Sequence, residues 1–196
     1  MTTIDQIAME HLAQYREAAD NVAALLEAVH AVTGALIDSL THGGVIYSCG
    51  NGGSAADAQH LTAELIGHYR RDRRPLPAVT LTTDPSVLTC LVNDYSPDLI
   101  FARQIEALAR PGDVVCGFTT SGRSPNVVAA LGVAKEKGAT TVLFCGANPG
   151  ACGAWADLTL AAAAPSTPRV QEIHTLLLHM IADAVDAWAA GELEIT

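Results

Sequence analysis

Val45-Ile46-Tyr47-Ser48-Cys49 runs directly into Gly50-Asn51-Gly52-Gly53-Ser54-Ala55-Ala56-Asp57. The first five residues are mostly β-branched or aromatic and read as a strand. Three glycines in the next four let the backbone turn tightly and approach a ligand closely. Ser54 then starts a segment of helical character whose N–H groups face the same space.

The same texture repeats outward from this unit. Ala78–Leu81, Val114–Phe118, Thr140–Phe144 and, more weakly, Leu158–Leu160 read as strands, with helical periods between them. Four helical segments begin with a capping residue followed by proline: Asp84-Pro85, Ser96-Pro97, Ser124-Pro125 and Thr167-Pro168. The capping side chain satisfies orphan N–H groups, and proline at the first helical position gives up a donor that has no partner there. Gly138, after Lys135 and Lys137, has the composition of a helix C-terminus. Strand–helix alternation predicts an α/β fold, a doubly wound parallel sheet flanked by helices on both faces. No internal repeat or linker interrupts residues 1–196, so one domain is expected.

Upstream, Thr3 and Gln6 have capping-box spacing. Val22, Leu25, Leu26, Val29, Val32 and Leu36 recur at three- and four-residue steps until Gly43-Gly44. A helical pattern of about 35 residues, as one helix or two, exceeds what a small core needs. Residues 1–42 are therefore expected to pack an apolar face on another subunit.

Composition narrows the function classes. Of 196 residues, 49% are apolar and 16% charged, which excludes disorder. Eleven Lys+Arg against 21 Asp+Glu leave a net charge of −10, so nucleic acid and anionic membranes are not expected partners. The N-terminus lacks a signal-peptide pattern, and the longest uncharged stretches are broken by glycine or proline. Five cysteines without a C-x-x-C pair fit buried thiols and a cytoplasmic protein.

A second loop stands out at Thr119-Thr120-Ser121-Gly122-Arg123-Ser124-Pro125-Asn126. Hydroxyls and a helix N-terminus together make a neutral phosphate cradle. Alone the loop is an ordinary capped turn. Two such loops at strand tips favour a sugar-phosphate site. The spacing matches neither a dinucleotide fingerprint nor a phosphate loop with G-K-[ST]. His60 and Glu64 lie four apart on one helix face; Gln171, Thr175 and His179 share a face near the other end. Imidazole, carboxylate and amide could hold a metal, although a His–Glu pair at this spacing is more often a solvated pair. His174 and Glu172 could equally be the functional pair of the last helix.

Taken together, C-G-N-G-G-S-A-A-D-A-Q-H with Glu64 following, V-N-D-Y at Val92–Tyr95, T-T-S-G-R-S and R-V-Q-E-I-H-T-L-L-L-H resemble the phosphoheptose isomerases, of the SIS (sugar isomerase) fold. The resemblance implies one zinc ion per site on His60, Glu64, Gln171 and His179. It implies substrate contacts from Asn51, Gly52, Gly53, Ser54, Asn93, Asp94 and Gln171, with phosphate on Thr119, Thr120, Ser121 and Ser124. It makes Glu64 the base and His179 the acid of an aldose–ketose isomerisation of D-sedoheptulose 7-phosphate to D-glycero-D-manno-heptose 7-phosphate. This is the first step toward activated heptoses. The two roles implied for Glu64 compete, because a carboxylate bound tightly to zinc is a weaker base. The family is homotetrameric, with sites between subunits.

Departures from the family pattern are Thr119 and Arg123 where the loop commonly reads S-T-S-G-N-S, and the segment Ala161–Pro168. Arg123 either adds a contact to phosphate or points to solvent. Four of the eleven cations crowd into Arg70-Arg71-Asp72-Arg73-Arg74, which either steers phosphate inward or is a solvated loop. Two other classes remain open at this point. One is a non-catalytic SIS protein binding a replication initiator or another protein, disfavoured by the joint presence of His60, Glu64, Gln171 and His179. The other is a sugar-phosphate-sensing module, disfavoured by the lack of a DNA-binding helix pair or basic patch.

Overall fold

The computed structural model describes residues 2–194. Its sheet has five parallel strands, β1 (Ile46–Gly50), β2 (Ala78–Thr80), β3 (Val114–Thr119), β4 (Thr140–Gly146) and β5 (Leu158–Ala162), in the order β2-β1-β3-β4-β5. Its helices are α1 (Ile4–Asp20), α2 (Leu26–Thr41), α3 (Gly53–Ile66), α4 (Pro85–Asp94), α5 (Ala102–Leu108), α6 (Pro125–Glu136) and α7 (Thr167–Ala189). The predicted doubly wound parallel sheet is therefore present.

Side chains alternate across each strand, and both faces are covered. Ile46, Val114, Cys116, Phe118, Val142 and Phe144 pack beneath α1, α2, α3 and α7. Tyr47, Cys49, Val115, Leu143 and Cys145 pack on the other face with Phe101, Ile105, Val127 and Leu131. Four cysteines are buried and Cys90 is exposed; all five are free thiols. Burial pushes the thiols of Cys116 and Cys145 up to about 12, which leaves them inert.

The strand order sets where a ligand can sit. The chain winds from β1 outward to β2, then crosses back to β3 and continues the other way. A crevice opens where the winding reverses, at the carboxyl ends of β1 and β3. The two loops singled out in the sequence leave from those two strand ends.

Several boundaries moved from expectation. Thr3 and Gln6 form the capping box, Asp84 and Ser96 cap as predicted, and Gly138 takes φ +78° just past α6. The Ser96-Pro97 segment is only a 3₁₀ turn, Pro97–Leu99. Helix α7 is entered from Ser166, one residue before the predicted cap. Ala161 and Ala162 finish β5, so the altered loop shrinks to residues 163–166. A 3₁₀ turn, Asn21–Leu25, separates α1 from α2 and shifts the phase of the apolar stripe. Val22, Val29, Val32 and Leu36 are buried as expected, but Leu26 is 53% exposed.

Ile4–Thr41 is the one helical run among the described residues long and apolar enough to cross a membrane. Its core-facing side nevertheless lies against the sheet. On α1, Ile4, Ile7, Met9, Leu12 and Tyr15 remain exposed.

Candidate active site

Helix α3 starts where β1 ends. Gly52, its N-cap, has φ +57°, a conformation glycine adopts without a Cβ clash. Gly53 is needed for a different reason. A Cβ there would lie 2.5–2.7 Å from the amide of Gln171, so the missing side chain admits Gln171 from α7.

A pocket of about 150 Å³ opens at this point, lined by Asn51, Ser54, Phe118, Thr119, Thr120, Ser121, Ser124, Thr167 and Gln171. Ser124 is the N-cap of α6 by backbone, yet its side chain makes no cap bond. It lies 2.9 Å from Thr119 Oγ1, which is also 3.4 Å from Ser121 Oγ. The hydroxyls thus form a connected group at two helix N-termini, the arrangement that holds phosphate without a lysine. Asn51 and Asn126 exchange reciprocal amide hydrogen bonds of 2.9 Å, tying the two loops together. Arg123 is exposed and does not line the pocket.

From the pocket, α3 and α7 run side by side and meet in three rungs. Gln171 lies on Gly53; Thr175 Oγ1 donates to Asp57 Oδ1 at 3.0 Å; His179 Nε2 lies 3.2 Å from His60 Nε2. The last rung includes Glu64, whose Oε1 is 3.0 Å from His60 Nε2. The ligand atoms of His60, Glu64 and His179 all lie within 4.8 Å of one another, so the three form one cluster rather than a solvated pair. Burial and the neighbouring His60 push the His179 imidazole below its ordinary value and so favour the neutral ring, although Glu64 pulls the other way.

This donor set fits a zinc-type cation. Two facing ring nitrogens need a proton or a cation between them, since at most one can donate to the other. Neutral imidazole and carboxylate are the oxygen and nitrogen ligands zinc takes. Gln171, the fourth predicted ligand, has its amide on Gly53 at the phosphate end.

The remaining predicted residues are placed as follows. Asn93 and Asp94 lie exposed in the last turn of α4, hydrogen-bonded to each other, and within one chain they do not line the hydroxyl pocket. His174 is fully buried, with Nε2 3.1 Å from Cys145 O and the rings of Phe118 and Phe144 beside it. Burial holds it down at about 4. Glu172 instead pairs with Arg169, whose guanidinium also reaches His11 O of α1. Residues two apart on a helix face different ways, so His174 and Glu172 are not a pair.

Sequence reasoning missed three groups beside the site. Asp57 is buried, and its Oδ2 has no hydrogen-bond partner. Desolvation raises its carboxyl to about 6, against the Thr175 hydrogen bond and His60. The signal was available, since Asp57 shares the α3 face of His60 and Glu64 by helical period. Tyr69, its ring centroid 5.3 Å from that of His179, and the Arg73–Asp186 ion pair carried no local signal. Within the arginine cluster Arg70, Asp72 and Arg74 are exposed, as in a solvated loop, whereas Arg71 and Arg73 are held in ion pairs. Arg71 pairs with Asp183 and Glu192, and the Arg73 side chain is 1% exposed.

Comparison with known proteins shows the family. The SIS domain family matches residues 10–146. A phosphoheptose isomerase of Paramagnetospirillum magneticum is 48% identical over 189 residues, 96% of this chain and 97% of that protein. The chain belongs to the phosphoheptose isomerase family of SIS-domain proteins. Two solved phosphoheptose isomerases superimpose with a TM-score of 0.89. That of Neisseria gonorrhoeae is 38% identical and covers 94% of this chain and 100% of its own. That of Francisella tularensis is 32% identical, with 95% and 99% covered. The phosphoheptose isomerases are aldose–ketose sugar-phosphate isomerases, so the chain is an enzyme of that class.

Proposed function

We propose that this protein interconverts D-sedoheptulose 7-phosphate and D-glycero-D-manno-heptose 7-phosphate through an enediol. The observation that carries the reading is the pairing of α3 with α7: a hydroxyl pocket at one end, and His60, Glu64 and His179 at the other. Gln171 and His179 are eight residues apart on α7, so the two ends are separated by about 12 Å along the helix. An extended seven-carbon chain with a terminal phosphate has that order of length.

In the proposed reaction the phosphate rests on Thr119, Thr120, Ser121 and Ser124, favoured by the N-termini of α3 and α6. Asn51, Gly52, Gly53, Ser54 and Gln171 line the path of the sugar. Glu64 removes the proton from C1 of the ketose and returns it to C2 from the same carboxylate. His179 donates a proton to O2 as the enediol forms and accepts the O1 proton as the C1 carbonyl is made. A largely neutral imidazole suits that exchange near neutral pH. Zinc held by His60, Glu64 and His179 would polarise the substrate oxygens and stabilise enediolate charge, while Gln171, expected as a fourth ligand, serves the phosphate end where its amide lies on Gly53.

The exposed apolar face of α1 supports a homotetramer in which residues 1–42 pack between copies of a single-domain chain. Asn93 and Asp94 then contribute to substrate contacts in the assembled particle. The free thiols are consistent with a cytoplasmic enzyme. A scaffold or a sensor has no use for a cluster of two imidazoles and a carboxylate beside a phosphate pocket.

A coupled assay with sedoheptulose 7-phosphate tests the reading. Glu64→Gln and His179→Gln should each lower kcat by about 100-fold or more while the fold is retained. A wild type that makes no aldose phosphate, or two variants of full activity, would end it. Elemental analysis of protein purified without chelator tests the cation: a metal-free, fully active enzyme refutes zinc. Light scattering that gives a monomeric mass refutes the tetramer.

A further inference from the structure

Helix α3 ends at Ile66, two residues after Glu64, and the last carbonyls of a helix lack intrahelical partners. Arg73 supplies them from outside the helix. Its Nη2 donates to Glu64 O at 2.6 Å, and its Nη1 to Leu65 O at 2.8 Å and Gly67 O at 3.1 Å. A cation at a helix C-terminus is also favoured by the helix dipole.

The other side of the same guanidinium belongs to α7. Arg73 Nε donates to Asp186 Oδ1 at 2.8 Å, and both side chains are essentially removed from solvent, at 1% and 0% exposure. Asp186 accepts further bonds from the backbone N–H groups of Tyr69, Arg70 and Arg71 at 3.4, 2.9 and 2.6 Å. It lies seven residues after His179, on the same face of α7. The loop it gathers in carries Tyr69, whose ring lies against that of His179 at 5.3 Å and 32°.

One buried ion pair is therefore bonded to the backbone of Glu64 and, through its loop, packed against the ring of His179. We propose that Arg73 and Asp186 are positioning residues that set the separation and aim of Glu64 and His179 for proton transfer. The proposal rests on the reading of those two residues as base and acid. A buried ion pair is weak evidence for stability, since apolar side chains of similar volume often serve as well. A planar guanidinium fork caps the carbonyls of Glu64, Leu65 and Gly67 and pairs with a carboxylate in one fixed geometry, four bonds where an ammonium has three donors. The benefit lies in geometry: displacement of a reacting group by about 1 Å costs on the order of 100-fold in rate.

The test compares Arg73→Met, Arg73→Lys and Asp186→Asn with Arg71→Gln, each shown to be folded by circular dichroism and thermal unfolding. Arg71 is the control, because its side chain sits on the same loop and makes its close pairs with Asp183 and Glu192, reaches Asp186 only at 4.0 Å, and makes no hydrogen bond to α3. With sedoheptulose 7-phosphate, Arg73→Met and Asp186→Asn should lower kcat on the order of 10- to 100-fold. KM should stay within about twofold, because the hydroxyl pocket is untouched. Arg73→Lys, which keeps the charge and part of the bonding, should recover part of kcat. Arg71→Gln should match wild type. Should Arg73→Met not fold, Arg73→Lys and Asp186→Asn carry the measurement. A folded Arg73 or Asp186 variant with wild-type kcat overturns the proposal, as does an equal loss in Arg71→Gln. An inactive wild type removes the base–acid reading and the proposal with it, a result distinct from an active wild type with unimpaired variants.

Discussion

Asp57→Asn should make the folded chain more stable, relative to wild type, as pH rises. Asp57 is buried on α3 with Oδ1 bonded to Thr175 and Oδ2 bonded to nothing. Desolvation raises its carboxyl from an ordinary 3.8 to about 6, although Thr175 and His60 pull the other way. A carboxyl raised on folding leaves stability intact below 3.8, where it is neutral in both states. That contribution is lost as pH climbs through about 6, where the buried group must ionise. At 1.36 kcal/mol per pH unit, the loss between pH 4 and pH 8 is about 2.5 kcal/mol. Asparagine keeps the Oδ1 acceptor for Thr175, and its amide is as unpartnered as Oδ2, but neither cost varies with pH. Urea unfolding of both proteins at pH 4, 5, 6, 7 and 8, with chelator present and equal chain concentration, reads the difference directly. The variant-minus-wild-type gap should widen by about 2.5 kcal/mol across that range, a change of roughly 5–10 °C in Tm. A gap constant to within about 0.5 kcal/mol would show that Asp57 ionises freely in the native state, against its burial.

His174 predicts the opposite sign. Burial lowers it from 6.5 to about 4, so its contribution is present above 6.5 and lost as pH falls toward 4. His174→Gln should gain about 3 kcal/mol on wild type between pH 7 and pH 4 in the same unfolding series; no relative gain refutes a neutral core imidazole. Gly53→Ala would place a Cβ 2.5–2.7 Å from the Gln171 amide. The flexible amide must swing aside, so the fold should survive while KM for the sugar phosphate rises about tenfold; an unchanged KM shows that Gln171 takes no part in binding.

Much of the architecture could be read from short-range patterns, because the forces that write them are local. A proline after a capping residue places a helix start, and a short β-branched or apolar run marks each strand, so all five strands and most helix starts lie within a residue or two of expectation. The 3₁₀ turn at Asn21–Leu25 escaped because its residues fit an α-helical stripe equally well. The buried role of Arg73 is illegible in the arginine run for a related reason. A cluster of charges is usually solvated, and nothing in residues 70–74 says that the chain folds back to place Arg73 beneath α3.

The candidate site divides the same way. Loops, hydroxyls and the His–Glu spacing stand in the sequence because each is a contact between near neighbours, and those motifs led to the family. What they left open was whether His60 and Glu64 meet anything. His179 joins them only because α3 and α7 lie side by side, which depends on both helices covering one face of the sheet. The unpartnered oxygen of Asp57, the neutral His174 and the guanidinium under Glu64 are likewise products of burial. Burial is set by which elements pack together, so these properties belong to contacts between segments far apart in sequence, Asp57 with Thr175 and His174 with Phe118 and Phe144, or, for Arg73, to the path of a loop no periodicity describes. The strand order adds the last element: the two loops are legible one at a time, but they face one crevice because the winding reverses between β1 and β3.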